Sequence, residues 1–164
     1  MSRKFAVDRM LGRLATWLRL TGQDASYGSH LRGRALLRHA RSESRTVLTR
    51  DRSLARKCQG DPEVFLVSSD HFREQLREVV RAFGIDPYRA MFSRCPRCNV
   101  PLERIPREAA RPFVPRFVFE TAPEFVRCGR CRRVYWPGTH AERVREELRR
   151  ILGPENLDSG ENRR

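Results

Sequence analysis

Short apolar segments alternate with amphipathic segments along the first half of the chain. Four segments are rich in apolar or β-branched residues, which predicts strands over Lys4–Val7, Asp24–Tyr27, Thr46–Thr49 and Val64–Val67. Each is followed by a stretch with apolar residues at helical spacing, which predicts helices over Arg9–Leu20, Arg34–Ala40, Arg52–Lys57 and Phe72–Phe83. This alternation predicts an α/β domain in which a parallel sheet carries helices on its faces.

The pattern changes beyond Gly84, where helical spacing ends and proline becomes frequent. Further short strands are predicted over Leu102–Ile105, Arg116–Glu120, Phe125–Arg127 and Val134–Trp136, and an amphipathic helix over Ala141–Leu152. We therefore predict a first domain over residues 1–84 and a small module over residues 85–152. The polar residues 153–164 are predicted to form a disordered tail.

Four of the five cysteines lie in this second module, as two C-x-x-C pairs. They are Cys95, Cys98, Cys128 and Cys131, with 29 residues between the pairs. Two intervening residues let a tight turn point both sulfurs at one ion, and two such turns supply a closed tetrahedral zinc site. A single pair would also suit a redox dithiol, but two pairs among strand-like segments favour structural zinc. The sequence thus predicts a small four-cysteine zinc ribbon after the α/β domain.

The chain is strongly basic, with a formal net charge of +14 from 34 basic and 20 acidic residues, and all but two of the basic residues are arginine. Such a charge favours a polyanionic partner, and nucleic acid is the leading candidate. An anionic membrane is the weaker alternative, because no basic amphipathic anchor is present. The chain has no apolar run near the ~20 residues of a membrane span. It also begins without the apolar segment of a secretory signal, and Cys58 is unpaired, so we expect a cytoplasmic protein.

Three aspartates follow predicted strands of the parallel sheet: Asp8, Asp51 and Asp70. Because ligands of an open parallel sheet bind outside the carboxyl ends of its strands, all three are expected at one edge. Clustered carboxylates suit Mg²⁺ or Mn²⁺, ions that activate water in phosphodiester cleavage. The alternative is that each aspartate caps the helix that follows it, a role that aspartate favours.

Several stretches resemble motifs of the Mut-seven C-terminal RNase domain family. They are Phe5–Arg19, which reads FAVDRMLGRLATWLR, Leu48–Arg52, which reads LTRDR, Phe92–Asn99, Cys128–Cys131, and Val134–His140. The resemblance covers about residues 5–152 and implies a PIN-like ribonuclease fold joined to a C-terminal zinc ribbon. It also implies metal-dependent RNA cleavage, with Asp8 and Asp51 at the matching acidic positions.

The chain departs from the family pattern at one place. Members usually carry an acid just before the helix that reads E-L-L-x-x-A, whereas the corresponding stretch Arg32–Ala40 has no carboxylate. Asp70, or less favourably Glu43, would complete the acidic set.

Basic residues near the acidic edge and the cysteines are candidates for RNA contact. They are Arg9, Arg13, Arg50, Arg52, Arg97, Arg130, Arg132 and His140. The alternatives are that the arginines near the cysteines only screen the thiolates, and that His140 only caps the last helix.

The leading hypothesis is therefore a metal-dependent ribonuclease that uses structural Zn²⁺ and catalytic Mg²⁺ or Mn²⁺. The first alternative is a non-catalytic RNA-binding protein, associated with tRNA or the ribosome, that carries a degenerate nuclease site. The second is a protein-binding or toxin-like module whose basic face meets an acidic partner.

Overall fold

The first half of the chain forms a four-stranded parallel sheet. The computed structural model describes residues 3–58 and 60–153. The strands are β1 (Lys4–Val7), β2 (Asp24–Tyr27), β3 (Thr46–Thr49) and β4 (Val64–Leu66), in the order β2-β1-β3-β4. All three pairings are parallel, and Phe5 pairs with both Ala25 and Thr46. The predicted α/β domain with a parallel sheet is confirmed.

Four helices connect and flank these strands. They are α1 (Gly12–Leu20), preceded by a 3₁₀ turn at Arg9–Leu11, then α2 (Gly33–Ser42), α3 (Arg52–Lys57) and α4 (Phe72–Phe83). The α4 helix ends at Gly84, whose left-handed backbone (φ 58°) is the usual stop for a helix.

Alternating side chains of the central strands face two separate cores. Phe5, Val7 and Leu48 belong to the larger core, together with buried residues of α1 and α4. Ala6 and Val47 point the other way and pack with residues of α2 and α3. Because successive strand residues alternate between faces, the sheet is buried on both sides, as the unbroken apolar segments of β1 and β3 require.

The second half forms a separate three-stranded antiparallel sheet. Its strands are β5 (Leu102–Ile105), β6 (Phe125–Cys128) and β7 (Val134–Tyr135), in the order β5-β6-β7. Between β5 and β6 lie α5 (Arg107–Ala110), a 3₁₀ turn at Arg111–Phe113, and α6 (Arg116–Thr121). The final helix is α7 (Thr139–Leu152).

The predicted strand at Arg116–Glu120 is wrong, because this segment is the helix α6. Phe117, Val118 and Phe119 have high strand propensity, but tertiary packing overrides it. Val118 packs into the small core of the ribbon, while Phe119 lies against the guanidinium groups of Arg107 and Arg111. A helical turn places these two contacts on the ribbon side and leaves Phe117 exposed.

The α7 helix packs against the parallel-sheet unit. Val144, Leu148, Ile151 and Leu152 are buried in the larger core, where α7 contacts α4. The sequence assigned this helix to the second module, and the boundary at residue 84 stays a prediction. Of the predicted disordered tail over 153–164, residues 154–164 lie outside the described residues. None of the helices in the described part of the chain is long and apolar enough to cross a membrane.

Candidate active site and metal centre

The strand order places one candidate site at the carboxyl ends of β1 and β3. The chain leaves β1 toward β2 on one side and returns to β3 on the other, so the connections diverge between these two strands. Such a switch point is where open parallel sheets form their ligand-binding crevice. Asp8 directly follows β1, and Asp51 follows β3 by two residues.

Asp8 is held as a buried carboxylate rather than as a helix cap. Asp8 is 3% exposed, and its side chain makes no capping hydrogen bond to the turn that follows. Oδ2 accepts a hydrogen bond of 2.6 Å from the Thr49 hydroxyl, while Oδ1 is buried without a hydrogen-bond partner in the described chain. A buried carboxylate oxygen without a partner is costly, so this geometry favours a cation at the site.

Asp51 has the capping role that its position before a helix allows. Its Oδ1 accepts a hydrogen bond of 3.0 Å from the backbone N–H of Leu54, and the residue is exposed. The Thr49 hydroxyl also accepts a hydrogen bond of 3.0 Å from the Asp51 N–H. Thr49 therefore links the first aspartate to the backbone of the second. Sequence reasoning missed this role, although the L-T-R-D motif contains the residue.

Asp70 lies on the loop between β4 and α4 and forms an ion pair with Arg50. Its side chain is 72% exposed. Within residues 3–58 and 60–153, the only set of three or more Cys, His, Asp or Glu ligand atoms that all lie within 4.8 Å of one another is the cysteine set. The three aspartates thus share one sheet edge without closing into a direct-ligand cluster.

Glu43 does not belong to this edge. It follows α2 and precedes β3, so it lies at the amino end of the sheet, where it pairs with Arg45 at 2.7 Å. Glu43 therefore cannot complete the acidic set at the carboxyl edge.

Exposed cations surround the acidic edge. Arg9, Arg13 and Arg52 are exposed, and the Arg13 guanidinium lies 3.9 Å from the ring centroid of Phe72. A groove of about 490 Å³ runs past Arg13, Phe72 and Asp70. This surface combines cations and an aromatic ring, the elements that hold phosphates and stacked bases.

The four cysteines converge into one compact site. The Sγ atoms of Cys95, Cys98, Cys128 and Cys131 all lie within 4.8 Å of one another. In each pair, the N–H of the second cysteine points at the sulfur of the first, at 3.4 Å. Asn99 and Arg132, which follow the pairs, adopt left-handed backbone conformations (φ 64° and 65°) that close the turns. The cysteines are therefore close enough to bind a metal ion, and the predicted zinc-ribbon arrangement is compatible with the structure.

The thiol pKa values fit a site that requires a cation. Burial opposes ionisation of Cys95, but hydrogen bonds from the Tyr135 hydroxyl and from the backbone amides of Cys98 and Arg97 outweigh it and lower its pKa to about 7. Burial and neighbouring sulfurs instead raise the pKa values of Cys98 and Cys128. Several thiolates cannot share this space unless a metal ion compensates their charge.

Side chains from both units join the ribbon to the sheet. Arg19 of α1 is buried and donates hydrogen bonds of 3.0 Å to the carbonyls of Pro96 and Arg97. The Asn99 amide accepts a hydrogen bond from the Ala25 N–H at 3.0 Å and donates one to Asp24 at 2.7 Å. The first cysteine turn thus docks on the free edge of β2, a junction that sequence reasoning missed because it joins residues about 75 positions apart.

The other predicted RNA contacts lie on the ribbon side. Arg97 and Arg130 are exposed and line a depression beside β2. Arg132 is exposed at the second cysteine turn, and His140 is exposed at the start of α7. Their role in RNA contact stays a prediction.

The fold and the two sites define a parallel α/β protein with a four-cysteine ribbon. The family model described as the Mut7-C RNAse domain matches residues 3–148, nearly the whole chain, and the chain therefore belongs to this family. Comparison with curated proteins and with solved structures gave no match.

Proposed function

We propose that the protein is a metal-dependent ribonuclease whose active site is centred on Asp8. The observation that carries this proposal is the buried Oδ1 of Asp8 at the switch point of the sheet, which has no hydrogen-bond partner among the residues that the structure describes. Asp51 and Asp70 would contribute further oxygens from the neighbouring strands. Mg²⁺ or Mn²⁺ bound there would supply a Lewis acid that activates water for phosphodiester hydrolysis.

The chain's own groups would prepare the substrate. Thr49 fixes the orientation of the Asp8 carboxylate. Arg9, Arg13 and Arg52 are exposed beside it and would bind phosphates through their planar donor sets. Asp70 can join the acidic edge fully only when its ion pair with Arg50 opens, and an RNA phosphate is a suitable competitor for that guanidinium.

The ribbon would extend this surface. We propose that the ion held by the four cysteines is zinc, because four thiolates in a closed set are its preferred structural ligands. Metal analysis of the purified protein checks this assignment.

The test is cleavage of single-stranded and structured RNA by the zinc-loaded protein with added Mn²⁺. We expect cleavage by the native protein and none by Asp8→Asn. The matched control is Asp61→Asn, which removes the same charge from an exposed loop before β4. Mn²⁺ should also raise the melting temperature of the native protein more than that of Asp8→Asn. Intact RNA with the native protein, or equal cleavage by both aspartate variants, would refute the proposal.

A second function is favoured by the start of α2. This helix has no acidic residue in its first turn and begins between Arg32 and Arg34. The motif that the sequence resembles has an acid just before this helix. A protein that binds RNA without cutting it would fit that substitution. It would bind RNA without Mg²⁺, with an affinity that falls steeply with salt, even when Asp8, Asp51 and Asp70 are all replaced by asparagine.

A further inference from the structure

A depression lies where the two units of the molecule meet. Its volume is about 290 Å³, and its lining comes from α1, the segment before the first cysteine, β7 and the start of α7. We call it the junction cavity; its lining includes Leu20, Met91, Phe92, Tyr135, Trp136 and His140. Phe92, Tyr135 and Trp136 give this lining three aromatic rings, a feature that ligand sites commonly have.

Phe92 enters the junction cavity from an unusual backbone conformation. Its φ is 58°, in the left-handed region that bulky residues rarely adopt. The conformation is maintained by a hydrogen bond of 3.0 Å from the Phe92 N–H to the Leu20 carbonyl. Backbone strain of this kind concentrates at functional sites, and here it places an aromatic ring on the cavity wall.

The lining of the junction cavity carries charges of both signs, with Arg94 and Arg145 beside Glu124 and Glu142. The cation nearest the aromatic wall is Arg145. The Arg145 guanidinium lies 5.8 Å from the centroid of the Phe92 ring, and Arg145 has no ion pair within the described residues. The chain as a whole carries a net charge of +14. A ligand that offers a flat ring to the aromatic wall and a negative group to Arg145 therefore fits better than an apolar peptide.

We propose that the junction cavity receives one unpaired nucleobase of an RNA strand, stacked against Phe92 and Trp136, with the adjoining phosphate on Arg145. RNA as the partner rests on the proposed function, but base capture does not require cleavage. The cavity volume is at the lower end for ligand sites, so it suits a single base. The α1 helix, roughly 13 Å long, separates the cavity at Leu20 from the acidic edge at its other end. A captured base would thus anchor the strand at a fixed distance from Asp8.

The test compares two octamers on the zinc-loaded protein without added divalent cations. One octamer is single-stranded oligoadenosine, and the other has abasic spacers in place of every nucleoside, which keeps the phosphates and removes the bases. Fluorescence anisotropy should show tighter binding of oligoadenosine. Because glycine adopts a φ of 58° freely, Phe92→Gly removes the ring while keeping the backbone conformation. We expect it to weaken oligoadenosine binding about tenfold and to change spacer binding less than about twofold.

Two further variants make the result decisive. Phe117→Ala removes an aromatic ring that is 72% exposed on the ribbon and does not line the cavity, so it should change neither affinity. Trp136→Leu should reproduce the selective loss if Phe92→Gly proves unstable in urea unfolding. Equal binding of the two octamers by the native protein, or equal losses for both octamers in the cavity variants, would overturn the proposal. Selective loss without any Mn²⁺-dependent cleavage would instead refute only the ribonuclease activity.

Discussion

Thr49 shows how one side chain organises the acidic edge. Its hydroxyl donates to Asp8 and accepts from the backbone N–H of Asp51, so it fixes the separation between the ends of β1 and β3. The residue itself is fully buried. Both of its hydrogen bonds therefore form away from competing water, where hydrogen bonds contribute most to order.

We predict that Thr49→Val destabilises the protein by about 1–3 kcal/mol, because it leaves both oxygens of the buried Asp8 carboxylate without a protein partner. We also expect Mn²⁺-dependent cleavage to fall about 10–100-fold, the usual cost of losing a group that orients a metal ligand. Urea unfolding and cleavage rates provide the two measurements.

The matched control for this prediction lies on the same strand. Thr46 is also buried, and its hydroxyl bonds Arg3 and Glu63 at the amino end of β3. Thr46→Val should lose stability while keeping native cleavage. Cleavage by Thr49→Val at the native rate would show that the hydroxyl does not serve the site.

The helix-capping alternative has a different outcome for the two aspartates nearest the switch point. Asp8 and Asp51 both precede a helical segment, and the sequence allowed either to be a cap or a ligand. In the structure, Asp51 caps the following helix through Oδ1, whereas Asp8 makes no capping hydrogen bond and its Oδ1 has no hydrogen-bond partner within the described residues. The difference depends on Thr49, which approaches Asp8 only after the sheet has formed, so local sequence could not reveal it.

At the scale of elements, the strands and helices of the first half were predictable because their apolar spacing is regular. The helix α6, which precedes β6, was not predictable. Its aromatic residues have strand propensity, and only contacts with α5 and the ribbon core make the segment helical. The clustering of the four cysteines was predictable from C-x-x-C spacing alone. The docking of the ribbon on the parallel sheet was not predictable. No sequence pattern around Arg19 or Asn99 identifies a hydrogen-bond partner that is distant along the chain.

We predict that Gly22→Ala destabilises the link between α1 and the segment that leads to the ribbon. Gly22 follows α1 with a φ of 83°, and an added Cβ would overlap the Ala90 carbonyl oxygen and lie 2.6 Å from the Ala90 Cβ. The left-handed conformation costs an alanine about 1–2 kcal/mol, and the overlap adds about 1–3 kcal/mol. The free energy of unfolding in urea measures the sum.

Gly84→Ala separates these two costs. Gly84 is also left-handed, with a φ of 58°, but an added Cβ there would meet nothing within 4 Å. Gly84→Ala should therefore lose only the free energy of unfolding that the left-handed conformation costs an alanine. Equal losses in the two alanine variants would mean that the approach of Ala90 to Gly22 contributes nothing to stability.

At the scale of the whole molecule, Asp24 connects the two units. Its carboxylate accepts hydrogen bonds from Arg45 at 2.6 Å and from Asn99 at 2.7 Å, and Arg94 lies 3.7 Å away. Burial alone would raise its pKa, but the hydrogen bonds from Arg45 and Asn99 outweigh burial and hold the pKa below its ordinary value. The contribution of this junction to the free energy of unfolding therefore depends on pH.

The direction of that dependence follows from where the proton binds first. Because the pKa of Asp24 is lower in the folded chain than the unfolded value of about 3.9, the unfolded chain takes up the proton first as pH falls. The stabilisation from Asp24 is thus complete above about pH 5 and is lost as pH falls through the folded-state pKa.

We therefore predict that Asp24→Asn lowers the free energy of unfolding by about 1–3 kcal/mol at pH 7, the usual range for hydrogen bonds to a charged group. The difference in free energy of unfolding between the variant and the native protein should shrink once pH falls below the unfolded-state pKa of about 3.9 and through the lower folded-state pKa of Asp24. Urea unfolding across this range measures the difference. Glu103→Gln is the control, because Glu103 is an exposed carboxyl group without an ion pair in the described residues. A difference in free energy of unfolding that stays constant with pH would mean that the charge of Asp24 does not hold the ribbon to the sheet.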